Sequence, residues 1–163
     1  MNPVFAPSPT GLDRQAAERW LRDVGRRADG APTLAWIPAA VAPIAAVARA
    51  LGEVPTVAWR APSGLSCAGF GVSAVVTAAG PERYVELERA AGAVLGRLTC
   101  VALADGAPRA RLFGGFAFHP GAATSSGWSG FGDALLLLPR VTYVVSDGAG
   151  WLGIVRRGDE PLR

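Results

Sequence analysis

The sequence holds a single histidine, His119, with three serines close behind it. Histidine beside serine is the pair from which a hydrolase builds an activated nucleophile. The serines are Ser125, Ser126 and Ser129. The segment around Ser129 reads Gly-Trp-Ser-Gly-Phe and lacks the last glycine of a nucleophile elbow. The pattern therefore favours a loop histidine without a catalytic role, and a small hydrolase with His119 as its base is the weaker hypothesis.

Metal and redox sites have few candidate ligands. One histidine cannot form a two-histidine site, and Cys67 and Cys100 form no Cys-x-x-Cys pair, so neither structural zinc nor a disulfide framework is expected. Both cysteines lie in apolar runs, which predicts that both are buried. The only acidic cluster is Glu82, Glu86 and Glu88, and we interpret it as the solvated face of a helix.

A glycine motif invites a nucleotide-binding hypothesis. Gly69, Gly71 and Ala74 fit the spacing G-x-G-x-x-A after an apolar run. The next residues, 75–77, read Val-Val-Thr, and β-branched residues are unfavourable where a phosphate-binding helix must begin. We therefore interpret these glycines as strand glycines that allow close packing.

The basic residues exclude further chemistry. All 16 are arginines against 13 acids, and the absence of lysine removes Schiff bases, amine bases and the phosphate-loop lysine. The arginines are scattered, so no nucleic-acid partner is expected. Three prolines divide the uncharged stretch 30–48, which argues against a membrane helix and, with no secretion signal, predicts a cytoplasmic protein.

Periodicity predicts an α+β fold with a mostly antiparallel sheet in one domain over 1–163. Residues 1–11 are expected to be disordered, and Thr10 to Asp13 has capping-box spacing before a helix over 12–30. The other predicted elements are strands at 33–37, 56–60, 65–77, 111–118, 134–145 and 151–155, helices at 43–51 and from residue 80, a Gly/Ser loop at 120–132, and a turn at Asp147-Gly148.

Two details of these elements are open to test. Pro38 is expected to close the first strand, and Gly114-Gly115 to interrupt the strand at 111–118. The second large helix carries an apolar stripe that is expected to face the core. Its members are Tyr84, Leu87, Ala91, Leu95 and Leu98.

Aromatic residues gather around the glycine-rich loop. They are Phe113, Phe116, Phe118, Trp128 and Phe131. Such density suits either the edge of a core or an interface, and the sequence leaves both open.

Several short motifs follow one another along the chain. They are Val-Ala-Trp-Arg at 57–60, Ala-Gly-Phe-Gly at 68–71, Gly-Pro-Glu-Arg-Tyr at 80–84, Arg-Leu-Phe-Gly-Gly-Phe-Ala-Phe at 111–118, Trp128 with Phe131, Leu-Pro-Arg at 138–140, the Asp147-Gly148 turn and Trp151-Leu152. In this order the motifs resemble the N-terminal half of isochorismate synthases, in the chorismate-utilising family. The resemblance covers about 33–155, and the segment Gly-Gly-Phe-Ala-Phe at 114–118 favours the isochorismate branch over anthranilate synthases.

The resemblance implies a Mg²⁺-dependent isomerisation of chorismate to isochorismate in a longer protein. A lysine would activate water for attack at C2, a glutamate would protonate the leaving C4 hydroxyl, and further glutamates would hold the metal. This half would lack those motifs, and His119 stands where the family usually has an acidic residue. No residue here is therefore assigned as catalytic, substrate-binding or metal-binding, and this chain alone needs no cofactor.

Two hypotheses of different classes follow. The chain is either the structural N-terminal portion of an isochorismate synthase-like protein, without the C-terminal catalytic domain, or a free-standing binding domain that kept the fold. The expected partner is a C-terminal chorismate-binding half, which would contact residues 113–131 and 134–138, or a second copy of the chain. The pathway, menaquinone or siderophore, stays open.

Overall fold

The computed structural model describes residues 14–27, 31–62, 64–122 and 130–156. Within them lie three helices and nine strands, which confirms the α+β class. In chain order they are α1 (Arg14–Arg27), β1 (Thr33–Ala39), α2 (Ile44–Leu51), β2 (Val57–Arg60), β3 (Ser66–Phe70), β4 (Ala74–Ala78), α3 (Arg83–Gly96), β5 (Thr99–Ala102), β6 (Phe113–Phe116), β7 (Ala134–Leu138), β8 (Val141–Ser146) and β9 (Ala149–Arg156).

The strands form two sheets. The larger has six strands in the order β2-β3-β8-β9-β1-β5, and the smaller has three in the order β4-β7-β6. Every pairing is antiparallel except β1 with β5. The β8–β9 hairpin turns at Asp147 and Gly148, whose φ angles of 51° and 76° match the Asp-Gly turn predicted there.

One face of the six-stranded sheet forms the main core. Its alternate residues Leu34, Trp36, Val144 and Trp151 are buried and pack with Leu138 of the smaller sheet. Because successive side chains of a strand point to opposite faces, these residues share one face, and Val94 of α3, Leu98 and Phe113 pack against it. Burying large apolar side chains is the main favourable term in folding, so this layer holds the molecule together.

The opposite face of the same sheet is covered by α2 and α1. Phe70 and Tyr143 are buried there beneath Ile44 and its neighbours on α2. The Tyr143 hydroxyl accepts a hydrogen bond from the Ala42 N–H at 2.7 Å, which satisfies its polar end inside the core. Helix α2 ends at Gly52, where φ is 68°, a left-handed conformation that glycine adopts without strain.

Helix α1 spans Arg14–Arg27, inside the interval 12–30 predicted for it. Its buried residues include Ala17 and Leu21. The buried Arg156 guanidinium of β9 donates to the Leu21 carbonyl at 2.8 Å and so connects α1 to the six-stranded sheet. The capping residues Thr10 to Asp13 and the segment 1–11 lie outside the described residues.

Two strands that were predicted as single units each divide between the sheets. Residues 65–77 form β3 and β4, separated at Gly71 with φ 58°, and residues 134–145 form β7 and β8, separated at Pro139 and Arg140. In both cases one strand joins the six-stranded sheet and the other joins the three-stranded sheet. The apolar run continues across each break because both flanking strands have a side to bury.

Two smaller expectations were also wrong, and one strand was missed. Strand β1 continues through Pro38, which is tolerated because β5 pairs only as far as Trp36 and leaves that side of β1 without a ladder partner. Gly114 and Gly115 lie within β6 rather than interrupting it. Strand β5 was missed, because it is short and its parallel pairing with β1 is not local.

The apolar stripe of α3 is rotated from the one predicted. Leu87 and Leu98, which lies just after the helix, are buried as expected. Tyr84 and Leu95 are exposed, and the buried residue in the first turn is Arg83. The helix therefore sits with Arg83 and Leu87 toward the three-stranded sheet, and Tyr84 on its flank.

Candidate functional site

Asp133 joins two separate loops at the end of the three-stranded sheet. Its Oδ2 accepts the Gly80 N–H at 2.8 Å, and its Oδ1 accepts the Gly121 N–H at 2.6 Å. These bonds favour the charged form, so the Gly80 bond first and the Gly121 bond second hold the pKa of Asp133 below its usual value. The charges of Arg83 and His119 lower it further. Both carboxylate oxygens are thus engaged in holding backbone.

Arg83 is buried beside this carboxylate and binds neutral groups. Its Nη1 donates to the Gly80 carbonyl at 3.1 Å and its Nη2 to the Tyr84 hydroxyl at 3.0 Å, while the guanidinium lies 4.4 Å from the Tyr84 ring centre. Nη2 also lies 3.4 Å from the Ala117 carbonyl. This arrangement fixes the first turn of α3 and the orientation of the Tyr84 ring.

A groove of about 510 Å³ opens beside these loops. Its acidic groups are Glu86 and Asp133, and Asp133 already accepts two backbone bonds. Among the described residues, the lining holds no histidine, cysteine or basic side chain, so these residues pair no nucleophile with a base. Lining residues are Thr77, Ala78, Ala79, Glu86, Gly130, Phe131, Gly132, Asp133 and Ala134.

His119 lies in an exposed loop, and its Nδ1 is 3.1 Å from the Pro120 carbonyl. The serines that could have joined it, Ser125, Ser126 and Ser129, lie outside the described residues. The structure therefore brings no nucleophile to His119 within the part of the chain that it describes.

The acidic side chains form no metal site among the described residues. Glu82, Glu86 and Glu88 are all exposed. Within 14–27, 31–62, 64–122 and 130–156, no three His, Cys, Asp or Glu side chains converge on a position suited to a metal. The Mg²⁺ implied by the resemblance thus finds no ligand set among these residues, and no catalytic step is derived through it.

The glycine motif lies in strands, as the sequence predicted. Gly69 lies within β3, where a side chain would clash with Pro139 and Val57, and Ala74 begins strand β4 and not a helix.

The two cysteines differ in exposure. Cys67 is buried, and burial raises the pKa of its thiol, although the Arg111 charge partly offsets this. Cys100 is exposed, so its predicted burial was wrong: it lies on β5, at the edge of the six-stranded sheet.

The most distinctive surface is an uncovered side of the three-stranded sheet, here called the open face. The strand register places Val75 beside Leu137, and Thr77 beside Leu135, on the side opposite α3. Val75 is 52% exposed, and both leucines are half-buried. The run of four leucines in β7 did not reveal this, because a continuous apolar run is also what a strand buried on both faces shows.

The aromatic cluster divides between core and surface. Phe113 packs against the main core, whereas Phe116 is exposed and Phe118 is fully exposed. Phe131 approaches the open face near Gly115, where a Cβ would lie 3.5 Å from its ring. Trp128 lies outside the described residues.

Residues 36–158 match the family model described as chorismate binding enzyme. The chain belongs to this family. The match runs from Trp36 in β1 to just beyond β9, close to the interval 33–155 that carries the motifs. It therefore includes both sheets and the open face of this chorismate binding enzyme family member.

Searches of curated proteins and of solved structures returned no match. In the described part of this family member, no helix has the length and apolar character required to cross a membrane.

Proposed function

We propose that this chain is the N-terminal portion of an isochorismate synthase-like protein, with a structural role and no activity of its own. The supporting observation is the family match over residues 36–158, which spans both sheets. The segment Gly-Gly-Phe-Ala-Phe at 114–118 supports the isochorismate branch. A cytoplasmic location belongs to the same proposal.

The chain contributes scaffold, and another stretch of polypeptide contributes the chemistry. The sequence has no lysine to serve as the base that the resemblance implies, and the described residues that line the groove beside Asp133 pair no nucleophile with a base. The open face supports a partner, because Val75, Leu135 and Leu137 present apolar surface beside one another.

The partner in this proposal is a C-terminal chorismate-binding half that covers the open face. Packing a second apolar layer on the sheet would remove the exposed part of these side chains from water, at about 25 cal/mol for each Å². The proposal therefore predicts that a charge placed on the open face weakens docking.

Reconstitution tests the proposal. The chain is mixed at micromolar concentration with the separately expressed C-terminal half of an isochorismate synthase, and conversion of chorismate to isochorismate is followed by chromatography. Turnover is expected only in the mixture. An inert mixture, or turnover by this chain alone, would contradict the proposal.

A pair of matched variants locates the contact. Val75 on the open face and Val85 on the outer side of α3 are both 52% exposed. Val75→Arg is expected to lower the restored activity at limiting partner by at least about tenfold, and Val85→Arg to leave it unchanged. Equal effects of the two substitutions would exclude the open face as the contact.

A free-standing binding domain is the second candidate. The observation that favours it is the fully exposed Phe118 beside the exposed Phe116, since exposed aromatic side chains are typical anchors in interfaces. Gel filtration with small-angle scattering separates the candidates: a finished domain runs as a compact monomer, and a scaffold with an uncovered apolar face self-associates.

A further inference from the structure

The outer edge of β6 has backbone groups that face away from β7, its one neighbour among the described strands. Ala117, just after β6, donates its N–H to the Asp133 carbonyl at 2.7 Å, which marks a hydrogen-bonded position of the β6–β7 ladder. In an antiparallel pair these positions alternate, so the N–H and C=O of Phe116 point outward. Phe116 and Gly114 are both exposed, and no described residue binds the outward groups of Phe116.

One flank of α3 stands above this edge. The Tyr84 ring lies 4.8 Å from the Phe116 ring, centre to centre, and Arg83 fixes it from the other side. Glu88 is one helical turn after Tyr84 and Leu95 is three turns after it, so both share its flank. All three are exposed. We call the edge of β6 together with this flank the edge groove.

We propose that the edge groove binds an extended segment of a partner polypeptide as a fourth strand beside β6. The proposal deepens the proposed function and rests on it, because the segment would belong to the chorismate-binding half. Its main chain would bond to the outward N–H and C=O of Phe116, and alternate apolar side chains would pack against Tyr84 and Leu95. An arginine or lysine of the segment would face Glu88.

Charge favours such a partner over a second copy of this chain. Two copies joined through β6 by a two-fold axis would place their α3 flanks side by side, with the two Glu88 carboxylates on the shared surface. Like charges brought together at an interface oppose association. A segment with a basic residue at that position instead gains a complementary pair.

A synthetic peptide tests the proposal without the catalytic half. The probe is a capped peptide of about eight residues in which valine alternates with threonine and one central residue is arginine, a length that a strand needs to span β6. A second peptide carries glutamate in place of the arginine. Binding is measured by fluorescence anisotropy, and amide exchange in the 163-residue chain by NMR.

The arginine peptide is expected to slow exchange of the Phe116 amide by at least about tenfold at saturation. The Ala117 amide is already bonded to Asp133 and reports that the fold is intact. The arginine peptide should bind about fivefold more tightly than the glutamate peptide. An unchanged Phe116 amide, or equal binding of both peptides, would overturn the proposal.

Charge reversal on α3 gives the matched control. Glu88→Arg should reverse the preference between the peptides, whereas Glu86→Arg, on the flank that lines the groove beside β4, should leave it unchanged. Protection of Phe116 without peptide in a concentration-dependent dimer would overturn the proposal in favour of a second copy. Successful reconstitution of turnover without peptide binding refutes only this docking mode, whereas peptide binding without reconstitution refutes only the proposed function.

Discussion

The six-stranded and three-stranded sheets are built from the same apolar runs but are covered differently. Strands β3 and β4 come from one run, as do β7 and β8, and each run supplies one strand to each sheet. The six-stranded sheet has the core on one face and α1 and α2 on the other. The three-stranded sheet has α3 on one face; on the other face Phe113 packs against the main core, while Val75 remains about half exposed.

This difference separates residues that hold the fold from residues available for contact. A leucine in the main core, such as Leu138, has almost no exposed surface left to bury, so its contribution is to stability. A leucine on the open face is half-buried in this chain and has apolar surface left for a partner. We therefore expect substitutions on the two faces to differ in how much they lower the free energy of unfolding, even when the residues are neighbours in one strand.

The largest effect is expected at Leu138, which is 3% exposed in the main core. Leu138→Ala should lower the free energy of unfolding by about 2–5 kcal/mol, because it leaves a cavity in the main core. The adjacent Leu137→Ala, on the open face, should cost about 1 kcal/mol. Urea denaturation of both variants checks this, and equal losses would show that the two faces are covered alike.

Gly153 and Gly115 allow the two sheets to be compared through a smaller change in stability. A Cβ on Gly153, in the six-stranded sheet, would lie 2.6 Å from Cζ3 of the buried Trp36 ring, whereas a Cβ on Gly115, on the open face, would lie at ordinary contact distance from Phe131. Gly153→Ala should destabilise by about 1–3 kcal/mol through overpacking. Gly115→Ala should be neutral or stabilise by up to about 1 kcal/mol, because alanine loses less backbone entropy on folding.

Thermal unfolding of these two variants provides the measurement. A Gly115→Ala variant that loses as much stability as Gly153→Ala would mean that something other than Phe131 lies tightly over the open face. That outcome would also weaken the case for a partner there.

The sequence predicts those parts of the fold that depend on local chemistry. The Asp147-Gly148 turn and the end of α2 at Gly52 require left-handed backbone, and the residue types there supply it. The division of an apolar run between two sheets has no such local signal. At Pro139 and Arg140 the residues on both sides are apolar, and only the pairing of distant strands decides which sheet each one joins.

The candidate surfaces were harder to predict for a related reason. The segments 113–131 and 134–138 were expected to make contacts, but period and composition could not separate Phe113 in the core from the exposed Phe116. The burial of Arg83 instead of Tyr84 rotates α3 and thereby creates the flank above β6. An arginine next to an apolar stripe gives no sequence signal that it is buried in place of the neighbouring aromatic residue, because charged side chains are rarely buried.

The smallest effect concerns Asp133, whose two backbone bonds connect loops at the end of the three-stranded sheet. Its pKa is lowered in the folded protein, mainly by the Gly80 bond, so the unfolded chain binds the proton more readily. The stabilisation is therefore complete above the unfolded pKa, near 3.8, and is lost as the pH falls through the lower folded value. Asp133→Asn should be less stable than the parent at pH 7, since its amide oxygen can accept one of the two N–H groups but its amide nitrogen cannot accept the other.

The same variant should lose less stability than the parent between about pH 5 and pH 2. Urea denaturation at a series of pH values measures both curves, and amide exchange at Gly80 and Gly121 reports whether the loops themselves open. Parallel curves for the parent and Asp133→Asn would show that the bonds to Gly80 and Gly121 are not coupled to folding. In that case the bonds from Arg83 to the Gly80 and Ala117 carbonyls would hold the loops that carry Phe118 and lead into α3. Arg83→Met would then be expected to destabilise the three-stranded sheet more than the six-stranded sheet.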